Sequence, residues 1–141
     1  MENAKVINTE FSTVEVTRNY LVVTMGDGCN LGEDELLSIQ GIANEHIEGD
    51  MGYISHHKND YSISPVDVVR FIIQTPRLKY IAYVSHIGDH KSRLMALLSL
   101  IPSTVKFKTF RSMEAAVYWM EENLKLEQRY NVEHVRKRKV S

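Results

Sequence analysis

Two near-copies of one tetrapeptide carry the most reactive side chains of this chain: Tyr53-Ile54-Ser55-His56 and Tyr83-Val84-Ser85-His86, thirty residues apart. A hydroxyl beside an imidazole supplies nucleophilic and acid–base chemistry when the two side chains meet in space. His57 follows the first copy directly, and His90 follows the second after Gly88-Asp89. These imidazoles, with the Asp89 carboxylate, are also a stock of metal donors. Each chemistry makes a geometric demand that the spacing fails to meet. No G-x-S-x-G elbow presents a serine, and Cys29 sits in a turn with no histidine near it in sequence. His86 and His90 straddle a strand-to-helix junction, so they do not form the i, i+4 pair of zinc hydrolases. Adjacent His56 and His57 point to opposite faces if both lie in a strand. Gly26 and Gly28 precede a helix, but the third glycine of a dinucleotide fingerprint is missing and the acids that follow would repel pyrophosphate. The expectation is no catalytic constellation, no metal centre and no cofactor.

The segments after the tetrapeptides are more informative. After the second copy, Asp89 caps a helix whose first turn carries His90, Lys91 and Arg93. Cations there oppose the helix macrodipole by about 0.3–1 kcal/mol each. A phosphate or carboxylate held by the free N–H groups and these side chains would reverse that cost; the plainer reading lets the side chains extend into water. After the first copy, the polar run from Lys58 through Tyr61 delivers Ser62 and Ser64 to another helix start. A serine there is ordinarily a cap, and it is also a favourable position for a phosphoserine, whose charge suits the dipole. The candidate ligand- or partner-binding residues are therefore His56, His57, Tyr61, His86, Asp89 and Lys91, with Ser62 and Ser64 as candidate phosphoacceptors. Tyr118, Trp119 and Met120 stand at helical spacing beside Ala116 and Leu124 and read as core packing, not as an aromatic ligand box.

Apolar alternation in Thr13–Met25 with Arg18-Asn19 in the middle predicts a β-hairpin. A helix follows, with Asn30 as its N-cap, three acids in its first turn, Leu36, Ile39, Ala43 and Ile47 on one face, and Gly49 at its end. Met51–His57 reads as a strand. Ser64, Pro65 and Asp67 open the next helix, which Thr75-Pro76 ends. Lys79–Ser85 is a strand; Asp89–Ile101 is a helix with Leu94, Leu97, Leu98 and Ile101 toward the core. Thr104–Phe110 is a strand, and Ser112 caps a last helix striped by Ala116, Val117, Met120 and Leu124. The order β-β-α-β-α-β-α-β-α implies a mostly parallel five-stranded sheet with right-handed crossovers and one antiparallel strand. Residues 1–11 read as an N-terminal extension, 12–127 as one domain, and 128–141 as a basic tail.

With 141 residues, 43% hydrophobic and 25% charged, the chain is sized and composed as one globular domain. A net charge of −1 offers no global attraction to nucleic acid or anionic membrane, and the run Arg136–Lys139 reads as a solvated end. A lone cysteine suits a reducing compartment. The start lacks the apolar stretch of a secretory leader, and no apolar run approaches the ~20 residues of a membrane span. The expectation is a cytoplasmic domain without membrane insertion or nucleic-acid binding.

One segment resembles a known family. From Tyr80 to Leu124 a strand leads to Gly88-Asp89 and Lys91, then a helix, a strand with Phe107 and Phe110, and a helix with Ala115-Ala116 and Trp119. This resembles the SpoIIAA-like proteins of the STAS type over residues 12–126. The resemblance implies a small α/β sandwich: a mixed sheet with its helices largely on one face. It implies a non-enzymatic regulatory or binding domain, since the better-known relatives are anti-sigma-factor antagonists that bind a partner kinase and are switched by serine phosphorylation. Their acceptor serine lies in an Asp-Ser-Ser-Gly-like stretch, where this chain has Tyr61-Ser62-Ile63-Ser64-Pro65. Recognition of a protein partner or small ligand at the carboxyl ends of the parallel strands is thus the leading expectation. The alternative is a protein that binds an anionic or lipid-like small molecule, or an enzyme, using His56, His86 and Lys91.

Overall fold

Every second residue of Ser12–Val16 is buried, so the strand turns one side to the core, while Tyr20–Met25 is apolar toward both sides. That difference marks an outer and an inner strand. The computed structural model describes residues 5–57, 62–63, 65–85 and 99–140, with residues 62, 63, 65 and 127–140 as backbone alone. Its strands are β1 (Lys5–Asn8), β2 (Ser12–Val16), β3 (Tyr20–Met25), β4 (Asn30–Leu31), β5 (Met51–His57), β6 (Ser62–Ile63), β7 (Leu78–Ser85) and β8 (Lys106–Phe110). Its helices are α1 (Glu33–His46), α2 (Pro65–Ile73) and α3 (Met113–Val140).

The main sheet runs β1-β2-β3-β5-β7-β8. The β2–β3 hairpin is the expected one, and β3, β5, β7 and β8 are parallel. The five expected strands become six because β1, inside the segment assigned as an extension, pairs antiparallel with β2 from Lys5 opposite Val16 to Asn8 opposite Thr13. Three of its four residues are exposed. Backbone pairing, not an apolar pattern, makes this strand, so periodicity could not reveal it. A second correction concerns Asn30. It does not cap α1; it lies in β4, paired in parallel with β6, and Gly32 stands at the cap without a side-chain hydrogen bond. The segment expected as a helix over Asp89–Ile101 falls largely outside the described residues.

α1 and α2 cover one face of the sheet. Leu36, Ile39, Ala43, Ile47, Phe71 and Ile72 pack on Leu21, Val23, Met25, Tyr53 and Ile81. On the other face, Ala116, Met120 and Leu124 of α3 pack on Tyr20, Val22, Ile54, Tyr80, Ala82 and Val84. Gly52 of β5 permits the close approach of α3: a Cβ there would fall inside contact distance of the Met120 thioether, and Met120 is fully buried. Ser112 caps α3 as expected, accepting the Ala115 N–H at 3.1 Å. The backbone of α3 continues to Val140, so the segment read as a basic tail is helical in its backbone.

Arg77 closes the other end of α1. Its guanidinium donates to the carbonyls of Ile47 at 2.6 Å and Gly49 at 3.2 Å, and to Asn44 Oδ1 at 3.1 Å. It thereby satisfies acceptors that a helix C-terminus leaves open. At the hairpin end of the sheet, the Tyr20 hydroxyl donates to Glu121 Oε1 of α3 at 2.9 Å. Burial, followed by the Glu121 carboxylate, pushes the Tyr20 phenol well above its ordinary value.

Two outcomes follow. Gly52→Ala should destabilise the fold by about 1–3 kcal/mol in urea denaturation, and Gly52→Ala with Met120→Ala should cost less than the sum of the single changes, because the pair shares one space. Because the folded chain holds the Tyr20 proton more tightly than the unfolded one, stability is present below the ordinary tyrosine value and falls as pH rises above about 10. Tyr20→Phe should make that alkaline decline shallower in thermal melts across the same range.

Candidate functional site

β5 and β7 are neighbours and parallel, but the two tetrapeptides are not side by side. Tyr53 lies opposite Ile81, Ser55 opposite Tyr83, and His57 opposite Ser85. The copies are staggered by two residues. The serine and histidine that become lateral neighbours are therefore Ser85 and His57, about 5 Å apart along the hydrogen-bonding direction, and not members of one tetrapeptide. His57 is 2% exposed, and its ring lies 5.7 Å from that of Tyr83.

Side-chain alternation divides the candidates. Tyr53, Ser55 and His57 share the parity that faces α1 and α2, as do Ile81, Tyr83 and Ser85 on β7. His56 has the opposite parity and lies on the α3 side, in the row of Thr24 and Val84. The expected divergence of the two histidines is real, and no single ligand on one face meets both rings. Ser62 is placed as backbone in β6, opposite Asn30 and shortly before Pro65 opens α2. Tyr61, Ser64, His86, Asp89 and Lys91 lie outside the described residues.

On the α2 face, set back along the strands from His57 and Ser85, is a cavity of about 50 Å³ between the sheet and α2. Its walls are apolar, from Val68, Phe71, Ile81 and Phe107 among others, while Tyr53, Ser55 and Tyr83 line its sheet side. Among the described residues, no group of three or more His, Cys, Asp or Glu could hold a metal ion. Cys29 is a half-exposed thiol. The aromatic residues of α3 split: Met120 is buried, Trp119 packs edge-on against Tyr80, and Tyr118 is 70% exposed, so only part of that stretch is core.

One buried ionisable group has no distinctive pattern in the sequence around it. Glu35 was one acid among three in a first turn, yet it is 5% exposed and its Oε1 accepts from Thr9 Oγ1 and Ser12 Oγ, both at 2.6 Å. Thr9 Oγ1 in turn accepts the Ser12 N–H at 2.9 Å. The carboxylate ties the β1–β2 turn to α1. The available signal was two hydroxyl residues flanking a turn, which is too common to single out one glutamate.

The six-stranded mixed sheet, with α1 and α2 on one face and α3 returning across the other, is a SpoIIAA-like fold, as the resemblance implied. A solved structure carries the same architecture at a TM-score of 0.52: an uncharacterized protein of the DUF3478 family with a SpoIIAA-like fold from Shewanella loihica PV-4. It is 13% identical, and the match covers 83% of this chain and 91% of that one. No family model and no curated relative matches the sequence. Among the described residues no helix is long and apolar enough to cross a membrane.

Glu35→Ala should cost about 1–3 kcal/mol in urea denaturation, since it removes the acceptor shared by Thr9 and Ser12 and leaves those hydroxyls only each other, at 2.7 Å, and the Ser12 carbonyl. Glu35→Gln, which keeps one oxygen acceptor, should cost less. Equal costs would mean that the hydrogen bonds contribute little beyond packing.

Proposed function

We propose that the protein is a non-enzymatic binding domain of SpoIIAA-like fold that recognises a protein partner at the carboxyl ends of β5 and β7. The observation that supports this reading is the cavity on the α2 face of β5 and β7, apolar in its walls and lined on the sheet side by Tyr53, Ser55 and Tyr83, with His57 and Ser85 the next residues of that face toward the carboxyl ends. Open α/β sheets bind their ligands beyond the carboxyl ends of parallel strands. The size of the cavity narrows the choice. Pockets for small molecules and cofactors hold roughly 300–1,000 Å³, and a cavity of about 150 Å³ takes benzene. A space of about 50 Å³ suits the tip of one apolar side chain, the anchor that a partner protein inserts. Ser85, half-buried at the end of β7, would lie nearest the incoming backbone.

The alternative, a small-molecule binder or enzyme acting through His56, His86 and Lys91, draws less support. Of those three, His56 is the described one, and it lies on the face away from the cavity. The lone thiol of Cys29 fits work in a reducing, cytoplasmic setting.

The test is cavity filling. Val68, half-buried on α2, lines the space, so Val68→Phe should occupy it. Tagged wild-type protein and this variant would be recovered from native cells and their bound proteins compared by mass spectrometry. A protein held by the wild type should be lost with Val68→Phe while the two melt within a few degrees of each other. Retention of the same proteins by both, or of none by the wild type, would count against the reading.

A further inference from the structure

The β8 edge of the sheet carries a charge pattern that neither the fold nor the cavity uses. β8 pairs with β7, and among the described residues no strand lies on its other side. Lys106 and Lys108, both exposed, fall in the rows of Tyr80 and Ala82, on the α3 face. Their ammonium groups lie over aromatic rings: Lys106 Nζ is 5.9 Å from the Tyr80 ring centre, and Lys108 Nζ is 5.5 Å from that of Phe110. Trp119 supports both rings from α3, at 5.9 Å from Tyr80 and 5.5 Å from Phe110. Among the described residues neither lysine has an acidic partner, whereas Arg70 and Lys125 do. Between the lysines, Phe107 points to the opposite face, where it is half-buried and lines the cavity wall.

We propose that the β8 edge is a docking site for an extended acidic segment of a protein partner, which adds to the sheet as a further strand. Backbone pairing would supply affinity, and alternate side chains would supply choice. On the α3 face, acidic side chains of the added strand meet Lys106 and Lys108 across the pair. On the other face its intervening residues lie beside Phe107 and are apolar. The recognised chemistry is therefore an alternation of acidic and apolar residues.

The same pattern disfavours a second copy of this chain. Antiparallel pairing of β8 with itself would bring its lysines together across the junction, and like charges opposite one another are destabilising. Lysines on an edge also guard against indiscriminate pairing; an acidic strand is the occupant for which that guard becomes an attraction. The proposal differs from the cavity reading in what it needs: the outward backbone of β8 with Lys106 and Lys108, although Phe107 borders both places.

Fluorescence anisotropy with the full chain tests this directly. The probes are a labelled peptide alternating glutamate and valine, its counterpart alternating lysine and valine, and the glutamate peptide with a central proline. The glutamate peptide should bind, more weakly as salt rises, and the lysine peptide should not. Proline should weaken binding by about tenfold or more, a loss of about 1.4 kcal/mol, because it removes a ladder donor. The doubly substituted Lys106→Glu, Lys108→Glu chain should reverse the preference between the two peptides. If the glutamate peptide does not bind, the proposal is wrong. If the proline peptide binds equally well, or the charge reversal changes nothing, the contact is not strand addition at this edge and the proposal falls.

Discussion

The parallel pairing of β5 with β7 is the constraint on which the rest of this molecule depends. β5 is flanked by β3 and β7 and is buried on both faces, so its register can shift only by turning an entire side-chain set to the wrong layer. A slip of one residue would put Ile54 toward α1 and α2 and Tyr53 toward α3, where Met120 leaves no space even for a methyl group at Gly52. The fit of Gly52 to Met120 on one face and of Tyr53 to Phe71 on the other, with ring centres 6.1 Å apart, selects a single alignment. That alignment sets Ser55 beside Tyr83 and His57 beside Ser85.

Polar groups around this frame fall into three kinds. Some do structural work where a helix or turn would otherwise leave backbone groups open: Arg77 at the end of α1, Ser112 at the start of α3, and Glu35 joining the β1–β2 turn to α1. Others gather at the carboxyl edge of β5 and β7, beyond a small apolar cavity. Lys106 and Lys108 form a third, exposed group, set over aromatic rings.

Much of the architecture was legible because apolar spacing reports burial directly. The alternation of Val14 and Val16, the apolar run of Tyr20–Met25, Pro65 opening α2 and the Ala116–Met120–Leu124 stripe each describe a face pressed on its neighbour. The illegible parts were those held by backbone or by single contacts. β1 is mostly exposed, β4 and β6 are two residues each, and α3 beyond Leu126 carries few apolar residues to mark its continuation. Glu35 was indistinguishable from its neighbours Glu33 and Asp34 until the turn at Thr9 folded over it.

The tetrapeptides show where sequence ends and tertiary structure begins. By itself the sequence determined that Tyr53–His56 and Tyr83–Ser85 lie in strands, that the strands are parallel, and that His56 and His57 diverge, because a strand has a period of two whatever surrounds it. It could not determine which residues stand beside each other across the gap. Register is set by side chains from α1, α2 and α3 meeting the sheet at once, and those contacts are remote in sequence. Only the folded chain could move the serine–histidine neighbourhood from within each copy to Ser85 and His57, across two strands.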